Sequence, residues 1–349
     1  MHRVEHLSVW DASHSRAPAT GRDLQFSPIL LVIYVAVMMT YGFIHFTHQT
    51  HLTALLTVLT VVLMFCTSFV HMVETRGLRR AVLMAASAFT ITLAAEWVGV
   101  ATGALFGHYS YSDQLGVKVF DLVPLVIPIA WLMMLYPAFE TAALLLRRRR
   151  PHVQSPRSLR TLAENGLLAV TAAAAMTAWD LSLDPRMVSD GNWAWRDVGQ
   201  YAYFGIPLSN FAGWLVTAFA IYLVWLWIMR AHAHARAQPR LRRMNAMVER
   251  LANAPGALGM TRHLSRPLRS PVWSALPVVI YIITWLGESI VNVVLWNTPL
   301  VGLAVFVGMG VFSVPALARL WRDHGDALLT VGQLLRDLVI RDRTITRNL

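Results

Sequence analysis

Eight long apolar stretches constrain this chain more than any other feature. The hydrocarbon core of a membrane is about 30 Å thick, and roughly 20 apolar residues in a helix span it. Of the 349 residues, 56% are hydrophobic and 14% charged, whereas about a quarter are charged in soluble domains. We predict an all-α, polytopic integral membrane protein with about eight transmembrane helices. The expected spans are 28–46, 52–72, 81–103, 121–146, 160–179, 206–229, 273–296 and 299–318.

The basic residues predict the orientation of these helices. Of the 30 Lys and Arg residues, 27 lie in the two tails and in alternate loops, and the opposite loops hold only Lys118, Arg186 and Arg196. Positive residues stay on the cytoplasmic side of short loops. We therefore expect both termini to be cytoplasmic. The net charge of +11 then reflects topology, and no nucleic-acid partner is needed to explain it.

The same pattern divides the chain into three parts. Residues 1–27 form a cytoplasmic N-terminal tail without the features of a removable signal peptide. Residues 28–318 form the transmembrane domain, which includes a basic cytoplasmic loop over 230–271. Residues 319–349 form an amphipathic cytoplasmic tail, whose apolar residues beside Arg are typical of helices lying on a membrane surface. We expect a multi-pass protein of the cell membrane.

Four carboxyl groups lie within the predicted spans or directly at their ends, where charge is costly and usually marks a function. The topology places Glu96, Asp180, Asp184 and Glu288 in the outer half of the bilayer. Asp180 and Asp184, four residues apart, share a helix face, and we expect Pro185 to end that helix. The four groups are predicted to line one pocket. The alternative is that they form structural hydrogen bonds between helices.

Aromatic and amide side chains surround these carboxyl groups in the sequence. The outer loops 106–118 and 190–205 are rich in aromatic residues and glycine, and irregular backbone at membrane depth must line a cavity or be covered by protein. The alternative for the aromatic residues is an interfacial belt. The candidate binding residues are Tyr109, Tyr111, Trp193, Trp195, Tyr203, Asn210, Trp214, Tyr281, Trp285 and Asn292.

No metal or cofactor is expected. His45, His48 and His51 resemble a ligand cluster, but membrane di-iron oxygenases need several HxxxH and HxxHH motifs. The sequence has one HxxxH, at His2 and His6, and no HxxHH. Nucleotide-binding and nucleophile motifs are also missing from the sequence.

Two motif regions resemble the CruF-type membrane carotenoid 1,2-hydratases, a family of carotenoid biosynthesis proteins. The resemblance covers most of residues 28–318. The first region contains EWVGVATG (96–103), FGHYSYSDQLG (106–116) and VPLVIPIAW (123–131). The second contains WDLSLDP (179–185), WAW (193–195) and YFGIPLSNFAGW (203–214).

The resemblance implies a cofactor-independent hydro-lyase of carotenoid biosynthesis. Such enzymes add water across the terminal 1,2 (or 1′,2′) double bond of an acyclic ψ-end group, as in lycopene or γ-carotene, and leave a tertiary alcohol. Related archaeal members act on C50 bacterioruberin precursors. The implied partners are a polyene substrate within the lipid bilayer and other enzymes of carotenoid biosynthesis.

Hydration of an unactivated double bond requires an acid that protonates the less substituted carbon, after which water captures the tertiary carbocation. A carboxyl group buried in an apolar site keeps its proton more readily. The candidate acids, in order, are Asp180, Glu96 and Glu288, and Asp184 or Asp121 would orient the water and accept its proton. Aromatic faces attract cations. The Trp candidates for binding the polyene or the cation are Trp97, Trp131, Trp179, Trp214 and Trp285.

Two other functions stay open at this point. One is a non-enzymatic membrane protein that binds a carotenoid or another isoprenoid, which would give the carboxyl groups a structural role. The other is a lipid hydroxylase, against which the missing histidine motifs count.

Overall fold

The computed structural model describes residues 26–45, 50–146, 159–237 and 271–345, and within them the chain is a helical bundle. Seven of the described helices are long and apolar enough to cross a membrane, and the first has a shorter apolar part, Phe26–Gly42. The predicted all-α polytopic fold is confirmed. The helices are α1 (Phe26–His45), α2 (Thr50–Arg76), α3 (Leu78–Thr102), α4 (Val126–Leu146), α5 (Leu159–Ser189), α6 (Leu208–Ala237), α7 (Pro271–Ser274), α8 (Leu276–Val294) and α9 (Pro299–Ile345).

Helix α4 is the centre of the bundle. It packs against α2, α3, α5, α8 and α9, whereas α1 packs chiefly against α2. Small residues let α5 approach its neighbours closely, as in other membrane helices. Those with no exposed surface are Ala169, Ala172, Ala173 and Ala175.

Short strands cover one end of the bundle, which we call the loop end because it carries residues 103–125 and 190–207. The sequence interpretation treated these loops as irregular. Three antiparallel pairs form: β1 with β4, β2 with β3, and β5 with β6. The strands are β1 (Tyr109–Tyr111), β2 (Lys118–Val119), β3 (Val123–Pro124), β4 (Trp193–Trp195), β5 (Ala202–Tyr203) and β6 (Ile206–Pro207).

Pro185 does not end α5, contrary to the prediction, because the helix continues to Ser189. A proline inside a helix leaves the carbonyl four residues earlier without its N–H partner. The Tyr203 hydroxyl of β5 donates to that carbonyl, on Leu181, at 3.0 Å. Burial and the charge of Asp180 raise the pKa of Tyr203 to about 12, so its hydroxyl keeps the proton that it donates.

Pro137 interrupts the hydrogen bonds of α4 in the same way. The carbonyl that it leaves free belongs to Met133, and the Ser68 hydroxyl of α2 donates to it at 2.9 Å. A backbone group without a partner costs several kcal/mol in lipid. Both prolines are therefore tolerated because a hydroxyl from another element replaces the missing donor.

Helix α4 begins at Val126 and not at the predicted residue 121, because the preceding residues form the β2–β3 hairpin. Its turn residues Phe120 and Asp121 have φ angles of 53° and 57°. The Leu122 N–H donates to the Val119 carbonyl at 3.1 Å, and left-handed conformations at the two residues between them are typical of a type I′ turn. Asp121 is thus exposed at the tip of a hairpin.

Two predicted boundaries differ from the helix ends. Helix α6 continues to Ala237, beyond the expected start of the basic loop at 230. Helix α9 runs through the boundary expected between 318 and 319 and has 47 residues, which corresponds to a length of about 70 Å. The tail up to residue 25, the loop from 238 to 270 and His48 lie outside the described residues, as do the side chains of His45 and His51.

A buried ion pair joins α2 and α4 far from the loop end. The Arg76 guanidinium contacts the Glu140 carboxylate, and both side chains are almost completely buried. The same guanidinium lies 5.9 Å from the ring centres of Tyr136 and Phe139. Two aromatic faces and one carboxylate thus surround the charge.

Candidate active site

A cavity lies towards the loop end of the bundle, between α1, α2, α3, α4, α5, α6 and α8. Its volume is about 90 Å³, and by the same measure one water molecule needs roughly 10–15 Å³. Two groups of polar side chains lie in its wall or directly behind it. We call them the carboxyl group cluster (Glu96, Asp180 and Asp184) and the ion-pair cluster (Arg186, Glu288 and Ser182).

Glu96 accepts hydrogen bonds from three neutral donors. Its Oε2 accepts from the hydroxyls of Tyr109 and Tyr111, the latter at 2.7 Å, and its Oε1 accepts from Trp131 Nε1 at 3.1 Å. Burial and the negative charge of Glu96 raise the pKa of both tyrosines well above the usual value. Their hydroxyls therefore remain donors at physiological pH.

The loop reaches Glu96 because α3 has glycine one turn further on. A Cβ at Gly99 would lie 2.6 Å from Phe106 and 3.2 Å from the Tyr109 hydroxyl, so a larger residue would push the loop away. Tyr109 and Tyr111 are two residues apart in β1, so their side chains point to the same side of the strand. They pair with Trp195 and Trp193 across the strands.

Asp180 and Asp184 share one donor. Asn210 Nδ2 donates to Asp180 Oδ2 at 3.0 Å and also to Asp184 Oδ2. Asp184 Oδ1 accepts from Trp193 Nε1 at 3.2 Å. No donor reaches the buried Asp180 Oδ1 within the part of the chain that the structure describes. The spacing of four residues places both aspartates on one face of α5, as the sequence predicts.

None of these three carboxyl groups is paired with Lys, Arg or His among the described residues. Their exposed fractions are 4% for Glu96, 0% for Asp180 and 3% for Asp184. A buried charge with neutral partners only is costly. The arrangement is therefore suited to chemistry that moves a proton.

The ion-pair cluster is organised differently, since here a cation neutralises the carboxylate. Arg186 lies 3.5 Å from Glu288 Oε1, and the Ser182 hydroxyl donates to Glu288 Oε2 at 2.8 Å. Asn292 in turn donates to Ser182 Oγ at 2.7 Å. Arg186 was interpreted as an outer-loop residue, which is wrong, because it lies within α5 and is largely buried.

Indole rings form the wall beside the carboxyl groups. Trp131 and Trp214 are stacked, with ring centres 4.1 Å apart and planes at 17°. Trp179 meets Trp214 edge-on at 6.0 Å. Facing aromatic surfaces of this kind stabilise a positive charge.

The family model for carotenoid biosynthesis proteins matches residues 52–311. The chain belongs to this family. One curated relative is bisanhydrobacterioruberin hydratase of Haloarcula japonica, which is 31% identical over 139 residues. That match covers 40% of this chain and 42% of the relative, so it spans less than half of either protein. No solved structure matches.

The cavity of this carotenoid biosynthesis protein brings together most of the residues singled out in the sequence. Asp180 lies directly behind its wall and is joined to Asp184 through Asn210. The residues that line it are Glu96, Asp184, Glu288, Tyr109, Tyr111, Trp131, Trp179, Trp193, Trp195, Asn210 and Trp214.

Two of the proposed site residues lie on the outside of the protein. Asp121 is exposed at the turn between β2 and β3. Trp97 is 44% exposed, because consecutive helical residues point about 100° apart and Glu96 takes the inward direction. Neither lines the cavity.

Four more lie outside the cavity lining and bond to backbone or to neighbouring side chains. Tyr203 donates to Leu181 as described above. Tyr281 donates to the Ala175 carbonyl at 2.8 Å, and Trp285 Nε1 donates to the Phe306 carbonyl at 2.9 Å. Asn292 supports the ion-pair cluster through Ser182.

Sequence reasoning missed several cavity residues, among them three on α1. Tyr34, Met38 and Tyr41 line the cavity, and their spacing of four and three residues is that of one helix face. This spacing was the available signal. No group of three His, Cys, Asp or Glu side chains that could hold a metal ion occurs among the described residues.

Proposed function

We propose that this carotenoid biosynthesis protein is a hydratase of the cell membrane, with cytoplasmic termini, that adds water across the terminal double bond of an acyclic carotenoid end group. The observation that carries the proposal is the carboxyl group cluster beside stacked indole rings. The name of the Haloarcula relative supports the same reaction class.

The proton donor in this proposal is Asp184. Two adjacent carboxyl groups without a cation hold one proton between them in preference to carrying two charges. Asp184 lines the cavity, whereas Asp180 lies behind it. The structure therefore favours Asp184 as the group that protonates the less substituted alkene carbon, with Asp180 sharing its proton.

The tertiary carbocation then lies against Trp131, Trp179 and Trp214. A desolvated cation over an indole face is stabilised by about 2 kcal/mol. No positive side chain bonds to the carboxyl group cluster among the described residues, so no cation within that cluster opposes the developing charge.

Glu96 is the proposed base. As the water oxygen bonds to the tertiary carbon, one of its protons passes to Glu96, whose two tyrosine donors hold it in place. The proton returns to Asp184 through cavity water before the next turnover. In the net reaction, the alkene and one water molecule give the tertiary alcohol, and no oxidant, reductant or cofactor is consumed.

The test uses the purified protein in lipid vesicles, with and without oxygen, in water labelled with heavy oxygen. Lycopene, γ-carotene and bisanhydrobacterioruberin are offered separately, and products are analysed by mass spectrometry. We expect one of them to gain one labelled water. A product that forms only with oxygen and carries unlabelled oxygen would indicate a hydroxylase, and binding without conversion would indicate a carrier.

Variants connect the activity to the cavity. Glu96→Gln and Asp184→Asn are expected to insert normally but to lose hydration. Trp97→Phe is the matched control, because Trp97 follows Glu96 directly and faces away from the cavity. Full activity in both carboxyl variants would contradict the mechanism.

A further inference from the structure

The proposed reaction leaves the ion-pair cluster without a role, although it lines the same cavity. Arg186 and Glu288 are charged groups in a site for a largely hydrocarbon molecule. Charged side chains within membrane helices are costly and mark function. The inference below rests on the proposed function and concerns what this cluster binds.

Helix α5 presents the two clusters on either side of an apolar strip. Leu183 and Met187 face the cavity, and Asp184 and Arg186 both line it. Asp184 and Arg186 are two residues apart, which corresponds to a rotation of roughly 200° about the helix axis. Their side chains therefore lie on opposite sides of the strip formed by Leu183 and Met187. A ligand that touches both clusters therefore lays a hydrocarbon segment over Leu183 and Met187.

The ion-pair cluster and its neighbour Tyr34 offer both hydrogen-bond donors and hydrogen-bond acceptors. No acceptor reaches the buried Arg186 Nε within the described ranges. Glu288 is an acceptor, and Tyr34, which interacts electrostatically with both charged groups, can donate and accept. The pair carries no net charge.

This capacity selects the ligand. An anion would be repelled by Glu288, a cation would be repelled by Arg186, and a hydrocarbon would leave Arg186 Nε without a partner. A neutral oxygen with one proton and free lone pairs satisfies all three residues. We propose that Arg186, Glu288 and Tyr34 form a subsite for a hydroxyl-type oxygen, either a hydroxyl on the polyene a short distance from its reacting double bond or a water molecule.

The experiment compares two acyclic carotenoids that differ only by a hydroxyl group near the end. Binding is measured by quenching of tryptophan fluorescence, and turnover by product analysis. The main variant is Tyr34→Phe, because it keeps the ion pair intact. Arg186→Met is the second variant, and Trp227→Phe, which is 69% exposed on α6, is the control.

If the polyene carries the oxygen, the Kd of the hydroxylated carotenoid rises about tenfold in Tyr34→Phe, and that of the hydrocarbon stays constant. If water is bound, both Kd values stay constant and kcat falls for both substrates. Unchanged Kd and kcat in both folded variants would overturn the subsite.

The binding arm separates this proposal from the proposed function. A wild-type protein that binds both carotenoids without hydrating either would contradict the hydratase. The Kd difference between the hydroxylated carotenoid and the hydrocarbon would still test the subsite in that case.

Discussion

Asn210 bridges Asp180 and Asp184 by donating to both from one amide group, so a small change in one aspartate also affects the other. In Asp184→Asn the carboxyl group that lines the cavity is lost, while the size of the side chain is kept. We expect kcat for hydration to fall by about 100-fold or more, the usual contribution of a general acid. Rates in vesicles, normalised to inserted protein, check this.

Asp180→Asn is the comparison for that measurement. Its side chain lies behind the cavity wall, so a smaller decrease is expected together with a shifted pH profile. A larger loss in Asp180→Asn than in Asp184→Asn would reverse the proposed roles.

Trp214 offers a test of cation stabilisation, because it stacks on Trp131 and donates no hydrogen bond to Glu96. Replacing it by Leu removes a ring that faces the proposed carbocation. A loss of about 0.5–2 kcal/mol corresponds to a decrease in kcat of roughly 2- to 30-fold. A higher KM with unchanged kcat would show that the ring only positions the polyene.

Residue-level prediction from the sequence succeeded where the cost of buried charge was decisive. Glu96 and Asp184 were singled out because carboxyl groups are rare in membrane spans, and both line the cavity. Arg186 was missed because the count of positive residues assigned it to a loop. Trp97 was included because neighbouring letters in a sequence do not reveal that their side chains point in different directions.

The β2–β3 hairpin carries strain at its turn. Phe120 has a φ of 53° and is 78% exposed, so it packs little against the protein in return for a conformation that non-glycine residues avoid. Replacing Phe120 and Asp121 by Asn and Gly, the preferred pair for this turn, is expected to stabilise the fold by about 1 kcal/mol. Thermal unfolding in detergent measures it.

A decrease in Tm in detergent would contradict the predicted strain. A double variant that is more stable than the wild type in detergent but less stable in vesicles would indicate that Phe120 gains more from contact with the bilayer than it loses in strain, because this contact exists only where lipid is present.

Tyr203 supports α5 beside Pro185, and its hydroxyl is expected to matter more than its ring. Tyr203→Phe leaves the Leu181 carbonyl without a donor, at a cost of about 1–3 kcal/mol. Tyr201→Phe is the matched control, since that side chain is 73% exposed. Equal Tm values for the two variants would contradict this role.

At the level of elements, the length of the apolar stretches predicted the helices, but nothing in the sequence pattern predicted the strand pairing. The strands are two or three residues long, too short for a recognisable alternation. The prediction that Pro185 ends α5 failed for a related reason. The sequence shows the proline, but it does not show that a hydroxyl from β5 replaces the missing donor.

On the scale of the whole molecule, the ion pair of Arg76 and Glu140 is a site of buried charge outside the cavity. The sequence analysis did not single out Glu140. Glu140→Gln leaves a buried guanidinium without a counter-charge, which typically costs 3–5 kcal/mol. We expect a markedly lower Tm or failure to accumulate in membranes.

The double variant Arg76→Met with Glu140→Leu is the informative companion. Removing both charges removes the penalty, so most of the lost stability should return. Additive destabilisation by the two substitutions would show that the aromatic contacts of Arg76, and not the ion pair, hold α2 against α4.

Pro137 and Pro185 have a consequence for how the chain enters the membrane during synthesis. Ser68, which serves the carbonyl beside Pro137, is made before α4, so its donor is already present when α4 arrives. Tyr203 follows Leu181 by 22 residues and is made after α5. Helix α5 therefore lacks one backbone partner in lipid until the next loop has emerged and folded back. Insertion of the helix that carries Asp180, Asp184 and Arg186 is thus completed only by closure of the loop above them.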